Sequence, residues 1–165
     1  MQLYSESFLL KKIIKDDLDN YLKLVTNTKV MQLISGKPYS QNDGIIKFNE
    51  LLEANNKHNK LGYFSIYLKS TNQFVGYTKL IMLEKDKAEL GYMFLPDFWG
   101  KGYGSEISTT MVEYARNVSA LKTIIAIIDP QNVASKKILL NCGFYLYKVC
   151  DMDGLPTEIY HLQNQ

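Results

Sequence analysis

The sequence predicts one mixed α/β domain, built on a central sheet of about seven strands with helices on both faces. Runs with a period of two, which are typical of strands, alternate along the chain with amphipathic runs of helical period. The run Thr123–Ile128 is almost wholly apolar and β-branched, as expected of a central strand covered on both faces. The 165 residues contain no linker, internal repeat or low-complexity segment, so we expect a single domain over residues 1–165.

The composition is that of an ordinary globular protein, with 46% hydrophobic and 22% charged residues. The net charge of +2 is too balanced for a nucleic-acid surface, and the single arginine, Arg116, offers few bidentate contacts to phosphates or bases. Lys11, Lys12 and Lys15 interrupt the early apolar residues, and no apolar run approaches the length of a membrane span. We therefore expect a cytoplasmic protein that binds neither nucleic acid nor membrane.

The cysteines and histidines show no metal or disulfide pattern. Cys142 and Cys150 are the only cysteines, and we expect them to be small buried hydrophobes in a reducing compartment. His58 and His161 lie far apart in the sequence without a ligand pattern, so we expect no metal.

The first part of the chain predicts one strand and three helices. Apolar residues recur at positions 18, 21, 22 and 25, which is one face of a helix, and Asp16 or Asp17 can cap that helix. Gly36 and Pro38 mark a break after the second helix. In order, the predicted elements are a strand at 7–14, a helix near 18–25, a short helix around Lys29–Ile34, and a helix capped by Ser40 that ends in the polar run Asn55–Lys60.

A three-stranded meander comes next, followed by two helix–strand units. Phe64, Ile66 and Leu68 alternate with more polar neighbours, as in a half-buried strand. Asn132 can cap the last helix, which stops at Gly143. The predicted elements are the strands Tyr63–Leu68, Phe74–Leu83 and Ala88–Leu95, a helix near Gly104–Asn117, the strand Thr123–Ile128, a helix from Asn132 to Asn141, and a hairpin of Phe144–Cys150 with Thr157–Leu162.

A glycine-rich loop follows the meander and leads directly into the next helix. Gly100, Gly102 and Gly104 alternate there, and glycine adopts left-handed dihedrals without a Cβ clash. Successive amides can then turn inward as an anion nest, to which the helix adds its unpaired first-turn N–H groups. The pattern favours a loop that binds the diphosphate of a cofactor. A flexible turn without a ligand is the alternative that the glycines alone leave open.

Spacing excludes two familiar glycine motifs. A G-x-G-x-x-G fingerprint fails because Ser105 or Ile107 stands at its last position. A P-loop fails because Lys101 is followed by Gly102 rather than by Ser or Thr. These failures disfavour a nucleotide-binding domain of another fold.

Three stretches resemble, in the same order, the GCN5-related N-acetyltransferases (GNAT superfamily), and most closely the branch of the ribosomal-protein alanine acetyltransferases RimJ and RimL. They look like the strand leading into the acetyl-CoA site, the pyrophosphate loop, and the asparagine-led helix with its Gly-Phe ending. Trp99 stands where the wider superfamily usually has Gln or Arg. The resemblance implies the GNAT fold, with its sheet splayed between the fourth and fifth strands. The stretches are Ala88-Glu89-Leu90-Gly91-Tyr92, Trp99-Gly100-Lys101-Gly102-Tyr103-Gly104, and Asp129–Ser135 through Asn141-Cys142-Gly143-Phe144.

The resemblance implies acetyl-CoA as co-substrate, held between the splayed strands. Main-chain groups of Met93, Phe94 and Leu95 would contact pantetheine, one amide also serving the oxyanion. Asn132 would contact the cofactor arm near the sulfur, a role compatible with capping its helix. The diphosphate would be held by the amides of Lys101, Gly102, Tyr103, Gly104 and Ser105.

Glu89 and Ser135 are the candidate catalytic residues. Alternation puts Glu89 on the strand face that would line the cleft, where desolvation would raise its proton affinity and let it take the amine proton through water. A solvent-exposed glutamate or a cross-strand salt bridge is the alternative. Ser135 would stabilise or protonate the leaving thiolate. Much of the superfamily uses a tyrosine further along this helix, where this chain has Leu139, so general-acid catalysis is in question.

Other side chains carry weaker signals. Lys101, Lys136 and Lys137 are candidates for the CoA 3′-phosphate, although solvated surface lysines are the simpler interpretation. Trp99 is expected to anchor the loop hydrophobically. The segments Lys29–Ser40 and Asp151–Pro156 are expected to wall the acceptor site. Sheet packing accounts for most of the meander tyrosines, one of which could line the acceptor channel: Tyr63, Tyr67, Tyr77 and Tyr92.

The sequence thus predicts an acetyl-CoA-dependent N-acetyltransferase that transfers the acetyl group directly to a primary amine in a ternary complex. A protein N-terminal α-amine is the leading acceptor, and a polyamine, amino sugar or antibiotic is the enzymatic alternative. A CoA-binding module without turnover is the alternative from another class. Monomer and homodimer both remain open.

Overall fold

The computed structural model describes residues 1–165 as one eight-stranded sheet flanked by five α-helices. Short 3₁₀ turns precede α1 and α4, at Lys15–Asp17 and Pro96–Phe98. The helices are α1 (Leu18–Val25), α2 (Thr28–Met31), α3 (Gln41–Asn56), α4 (Tyr103–Arg116) and α5 (Val133–Asn141). The strands are β1 (Gln2–Tyr4), β2 (Phe8–Lys12), β3 (Gly62–Leu68), β4 (Phe74–Glu84), β5 (Lys87–Phe94), β6 (Thr123–Ile128), β7 (Tyr145–Met152) and β8 (Leu155–Gln163).

The strands lie in the order β1-β2-β3-β4-β5-β6-β8-β7. The sheet has one strand more than the seven segments located in the sequence, because β1 was missed. Its three residues pair antiparallel with β2, from Gln2↔Lys11 to Tyr4↔Leu9, and three residues are too few to show a period of two. The mixed α/β class with helices on both faces is confirmed.

The sheet splays between β5 and β6, as the sequence predicted. These strands are the only parallel pair, and their pairing consists of Lys87↔Thr123, Ala88↔Ile124 and Glu89↔Ile125. Beyond Glu89, β5 stays paired with β4 as far as Phe94, and β6 stays paired with β8 as far as Ile128. The two halves of the sheet therefore diverge immediately after Glu89, and we call this point the fork.

Two hydrophobic cores cover the two faces of the sheet. The larger contains buried residues of α4 and α5, together with Leu90 and Phe94 of β5. The smaller is formed with α1, α2 and α3 and contains Met93. Leu90 and Phe94 thus point to one face and Met93 to the other, which confirms the predicted alternation along β5.

Several local predictions need correction. Asp17 occupies the N-cap of α1, but its carboxylate accepts hydrogen bonds from Ile14 N and Tyr67 Oη instead of capping. The predicted polar run Asn55–Lys60 begins inside α3, where Asn55 is buried and its side-chain amide hydrogen-bonds the main-chain N–H and C=O of Tyr63. Cys142 is free and half-buried rather than buried, and so is the other cysteine.

No helix is both long and apolar enough to span a membrane.

The last hairpin is tighter than predicted, because Asp151 and Pro156 pair within its ladder. Only Asp153 and Gly154 remain to turn the chain, and both adopt positive φ.

Candidate active site

Two cavities meet at the fork. One has a volume of about 390 Å³ and lies against the glycine loop, and we call it the loop cavity. The other has a volume of about 460 Å³, extends toward the β7–β8 turn, and is called the outer cavity. The two share lining residues, so they form one continuous cleft through the splayed sheet. The shared residues are Leu33, Ile34, Tyr92, Met93, Asn132 and Ser135.

The glycine loop has the geometry of an anion nest. Gly100 and Gly102 adopt left-handed φ values of 72° and 80°, and Gly102 is the N-cap of α4. None of the amides of residues 100–105 donates to a protein carbonyl or side chain. Glu106 N is the first amide to do so, donating to Gly102 O over 3.2 Å. Unpaired amides at a helix N-terminus favour a phosphate, so the loop fits the diphosphate of acetyl-CoA.

Gly104 lacks a side chain for a different reason from the one predicted. It lies inside α4, and its φ is not positive. A Cβ at this position would lie 3.1 Å from the ring and hydroxyl of Tyr92 and 3.0 Å from Ile138 Cδ1. Gly104 therefore allows α4 to approach β5 and α5 closely, which brings the loop to the fork.

Trp99 and Tyr103 fix the two ends of the loop. Trp99 Nε1 donates to Phe94 O over 2.8 Å, while 49% of the side chain stays exposed. Trp99 thus anchors the loop by this hydrogen bond, not by the burial that the sequence suggested. The Tyr103 ring packs edge-on against Phe8 with 4.9 Å between ring centroids, which holds the start of α4 against β2.

The open edge of β5 offers fewer backbone groups than predicted. Leu95 N donates to Val75 O over 2.9 Å, so its amide is used in the sheet and is unavailable to a cofactor. Adjacent amides of a strand point to opposite edges, so the Phe94 N–H points away from β4 and toward the splay. Phe94 is therefore the residue of this stretch that presents a donor to the cleft.

Asn132, Ser135 and Tyr92 converge where the cavities meet. Asn132 Oδ1 accepts from Ser135 N over 3.1 Å, which caps α5 as predicted and leaves Nδ2 without a protein partner. Tyr92 Oη lies 3.1 Å from Ser135 Oγ, and burial raises the pKa of Tyr92. Sequence reasoning missed this contact. Alternation puts Tyr92 on the face of β5 opposite Glu89, but no sequence signal reports that its hydroxyl reaches Ser135.

Glu89 lies at the fork and lines the outer cavity. Its Oε1 is 2.7 Å from Lys79 Nζ on β4, and 14% of the glutamate side chain and 23% of the lysine side chain are exposed. The cross-strand salt bridge considered as an alternative is therefore present, but it forms part of the cavity wall.

Both segments predicted to wall the acceptor site line the outer cavity. The first contributes Leu33, Ile34 and Ser35, and the second includes Asp153 but not Asp151. Of the four tyrosines considered, Tyr77 and Tyr92 line this cavity, whereas the other two do not. Burial raises the pKa of Tyr77 well above its usual value.

Two of the three lysines considered for the CoA 3′-phosphate have partners within the protein. Lys101 lies outside both cavities, with Nζ 5.9 Å from the Phe98 ring centroid. Lys136 Nζ lies 3.4 Å from Glu158 Oε1.

No three His, Cys, Asp or Glu side chains come together in a way that could hold a metal ion.

Comparison with known proteins identifies the family. The family model described as acetyltransferase (GNAT) domain matches residues 7–145, which is most of the chain. The chain belongs to the GNAT acetyltransferase family. As a GNAT protein it is an N-acetyltransferase that uses acetyl-CoA, and the loop and fork described above are the parts of the fold that fit this co-substrate.

One curated relative and two solved GNAT structures illustrate the similarity. The uncharacterized N-acetyltransferase p20 of Bacillus licheniformis is 25% identical over 144 residues, covering 86% of this chain and 81% of the relative. RimL, the ribosomal L7/L12 α-N-protein acetyltransferase, in complex with coenzyme A, has a TM-score of 0.83 at 15% identity and covers 99% of this chain and 98% of its own. The spermidine N-acetyltransferase of Vibrio cholerae, in complex with CoA and spermine, has a TM-score of 0.78 at 18% identity, with 96% of each chain covered. At these identities the two structures show the fold.

Proposed function

We propose that this GNAT enzyme transfers an acetyl group from acetyl-CoA directly to a primary amine, with a protein N-terminal α-amine as the leading acceptor. The observation that carries the proposal is the meeting of the loop cavity and the outer cavity at the fork. A cofactor held on one side and an amine entering from the other would come together beside Tyr92, Asn132 and Ser135. This geometry needs no covalent acetyl-enzyme.

Each group at the junction has a place in this reaction. Bound acetyl-CoA supplies the thioester whose carbonyl carbon the amine attacks and whose sulfur leaves as thiolate. The Phe94 N–H is fixed by the sheet and would donate to the carbonyl oxygen as negative charge develops there. Glu89 would accept the ammonium proton through water across the outer cavity. Ser135, oriented by Tyr92, would donate a hydrogen bond to the thiolate.

The same geometry assigns the binding roles. The free amides of residues 101–105 would hold the diphosphate. The Phe94 main chain on the open edge of β5 and the Met93 side chain, which lines the loop cavity, would contact the pantetheine arm. Asn132 Nδ2, left free by the cap, would contact the arm near the sulfur. Leu95 is omitted because its amide is bonded within the sheet.

Two observations support an N-terminal α-amine as acceptor. The loop around Trp99 resembles that of the RimJ and RimL branch, and RimL is among the structures that have this fold. The outer cavity is lined largely by apolar residues, as suits an extended peptide end that presents a single amine. A small polyamine is the second candidate, because carboxylates of Glu89, Asp129 and Asp153 also line this cavity.

Thiol release from acetyl-CoA, measured across N-terminal peptides, polyamines and amino sugars, tests the proposal. We expect the largest kcat/KM with a peptide α-amine. Glu89→Gln should lower kcat by about 100-fold, because a positioned base contributes at least that much. Its affinity for acetyl-CoA should not change, since Glu89 lies outside the loop cavity.

Glu84→Gln is the matched control, because Glu84 pairs with Lys87 on the exposed surface of the same sheet. It should leave kcat unchanged. Tight acetyl-CoA binding without thiol release from any amine would contradict the proposal and indicate a CoA-binding module. Equal kcat in Glu89→Gln and wild type would remove Glu89 as the base.

A further inference from the structure

We propose that Lys79 is a positioning residue that holds the Glu89 carboxylate ionised and turned into the outer cavity. The inference rests on the proposed function, since it concerns the group assigned as base. Lys79 has no place in the sequence patterns discussed above. It is the only basic residue lining the outer cavity, and its ammonium lies 2.7 Å from the Glu89 carboxylate.

The strand register shows that this contact requires a particular arrangement. Lys79 lies opposite Gly91 in the β4–β5 ladder, and Ile81 is the residue opposite Glu89. The lysine side chain therefore reaches its partner diagonally, across Gly91. A Cβ on Gly91 would lie 2.8 Å from Lys79 Cε, so glycine leaves the space that the side chain crosses. Gly91 thus leaves room for the lysine side chain to take this path to Glu89.

The pair differs from the ion pairs on the surface. In Lys47–Glu50 the side chains are 52% and 59% exposed, and in Lys122–Asp86 they are 79% and 37% exposed. Such pairs are strongly screened and contribute little. With 23% and 14% exposure inside a cavity, the Lys79–Glu89 pair is screened less, so Lys79 has more influence on the charge state of its partner.

No other cation faces Glu89. Tyr63 of β3 and Tyr77 of β4 lie close enough to Glu89 for its negative charge to influence their hydroxyl groups. Burial, reinforced by the Glu89 charge, raises the pKa of both, so their hydroxyls are neutral near pH 7. From β6 the residue opposite Glu89 is the apolar Ile125. The remaining charged residues lining the outer cavity are the carboxylates Asp129 and Asp153, which do not stabilise a further negative charge.

Loss of the ammonium should therefore make Glu89 easier to protonate. In Lys79→Met the carboxylate would have acidic, aromatic and apolar neighbours, and all of these favour the neutral acid. The acidic limb of the pH profile of kcat/KM should therefore move to higher pH. We expect a shift of about one pH unit, which is the smallest shift usual when a carboxylate loses an opposite charge within a few ångströms. Lys79→Arg keeps the charge and should preserve the wild-type profile.

A matched set of variants tests this. Gly91→Ala should move the limb in the same direction as Lys79→Met but less, because its Cβ displaces the lysine without removing the charge. Lys87→Met, which breaks the exposed pair with Glu84, should leave the profile unchanged. Acetyl-CoA affinity should be the same in all variants, since none of these residues lines the loop cavity.

A readout that needs no turnover separates this inference from the proposed function. The side-chain ¹³C signal of Glu89, identified by its loss in Glu89→Gln, can be followed through a pH titration. Its midpoint should be higher in Lys79→Met than in wild type or Lys79→Arg. Coinciding midpoints in these proteins would overturn the role of Lys79. If no amine gives thiol release in wild type, the proposed function fails while the titration still decides the role of Lys79.

Discussion

Gly102 and Gly104 lie two positions apart at the start of α4, yet each lacks a side chain for a different physical reason. At Gly102 the backbone is left-handed, with φ of 80°, and a Cβ there would have no neighbour within 4 Å. The constraint there is conformational. At Gly104 the backbone is helical and the constraint is contact with Tyr92 and Ile138. The same alternation in the sequence therefore combines one requirement for backbone freedom with one for close packing.

We expect valine at either position to weaken acetyl-CoA binding at least tenfold, which corresponds to about 1.4 kcal/mol. In Gly102→Val the strain would turn the loop amides away, and in Gly104→Val the new side chain would push α4 from β5. Gly104→Val should also lower the free energy of unfolding, because the contact lies between packed elements. Calorimetric titration with acetyl-CoA and urea unfolding measure the two effects.

Gly154→Val provides the control for backbone strain. Gly154 has a φ of 79° with open space around it, in the turn between β7 and β8 and outside the loop cavity. Its substitution should leave acetyl-CoA affinity unchanged. Unaltered affinity in both loop variants would show that the loop does not bind the diphosphate.

At the level of elements, α4 links the loop to the start of the chain. Glu106, in its first turn, accepts hydrogen bonds from Ser5 Oγ over 2.5 Å and Ser7 N over 2.7 Å. These bonds tie the β1–β2 turn to the helix. Burial alone would raise the pKa of Glu106, but the hydrogen bonds from Ser5 and Ser7 outweigh burial, so the pKa lies below the usual value of 4.5. A carboxylate in a first helical turn is also favoured by the helix dipole.

This lowered pKa predicts a loss of stability in acid. A carboxylate whose folded-state pKa is below its unfolded value contributes stability that is fully present above about pH 4.5 and is lost as the pH falls through the folded-state pKa. Glu106→Gln should therefore unfold at lower urea concentration than wild type at pH 7, and the difference should narrow below pH 4.5. Glu113→Gln, on the same helix and without a side-chain partner, is the control. An equal difference at both pH values would contradict the assignment.

The sequence predicted most elements because their signals are local. Alternation located β3 and β5, and the side-chain caps Ser40 and Asn132 mark the starts of α3 and α5 as expected. What it could not predict depends on distant parts of the chain. The capping oxygens of Asp17 are taken by Tyr67, fifty residues away, and by Ile14. The β1 strand exists because β2 offers it an edge, not because of its own pattern.

The residues of the candidate site were also predicted where their signals are local, whereas contacts between distant parts of the chain were missed. The alternating glycines indicated the glycine loop, and the resemblance to the GNAT family pointed to Glu89 and Asn132. Gly100, Gly102, Gly104, Glu89 and Asn132 all line the cleft. Lys79 and the hydroxyl of Tyr92 were missed as partners, because each meets its neighbour across a strand pair or between a strand and a helix. Such distances are set by the register and by the two glycines, Gly91 and Gly104, that permit close approach.

For the whole molecule, the fork joins two halves of the sheet through three paired residues on each strand. A ligand that fills the cleft would contact β5 on one side and α5 on the other. Acetyl-CoA should therefore stabilise the entire fold, because it binds the folded chain and not the unfolded one. At a concentration of about 100 times Kd the free energy of unfolding should rise by about 2.7 kcal/mol.

Thermal unfolding measures this gain. For a chain of this size we expect Tm to rise by about 5–10 °C in saturating acetyl-CoA. Gly102→Val should show a smaller rise at the same concentration, since its affinity is reduced. A Tm that does not respond to acetyl-CoA in wild type would show that the folded chain does not bind it at this concentration.

Trp99 gives the protein a built-in optical probe. It is the only tryptophan in the chain, half of it faces solvent, and its indole N–H is bonded to the carbonyl of Phe94 on the open edge of β5. Excitation at the red edge of indole absorption would report on this position alone, free of the twelve tyrosines. Arrival of a ligand at the loop should change the polarity around the indole and shift its emission, so stopped-flow fluorescence can time the event without any label.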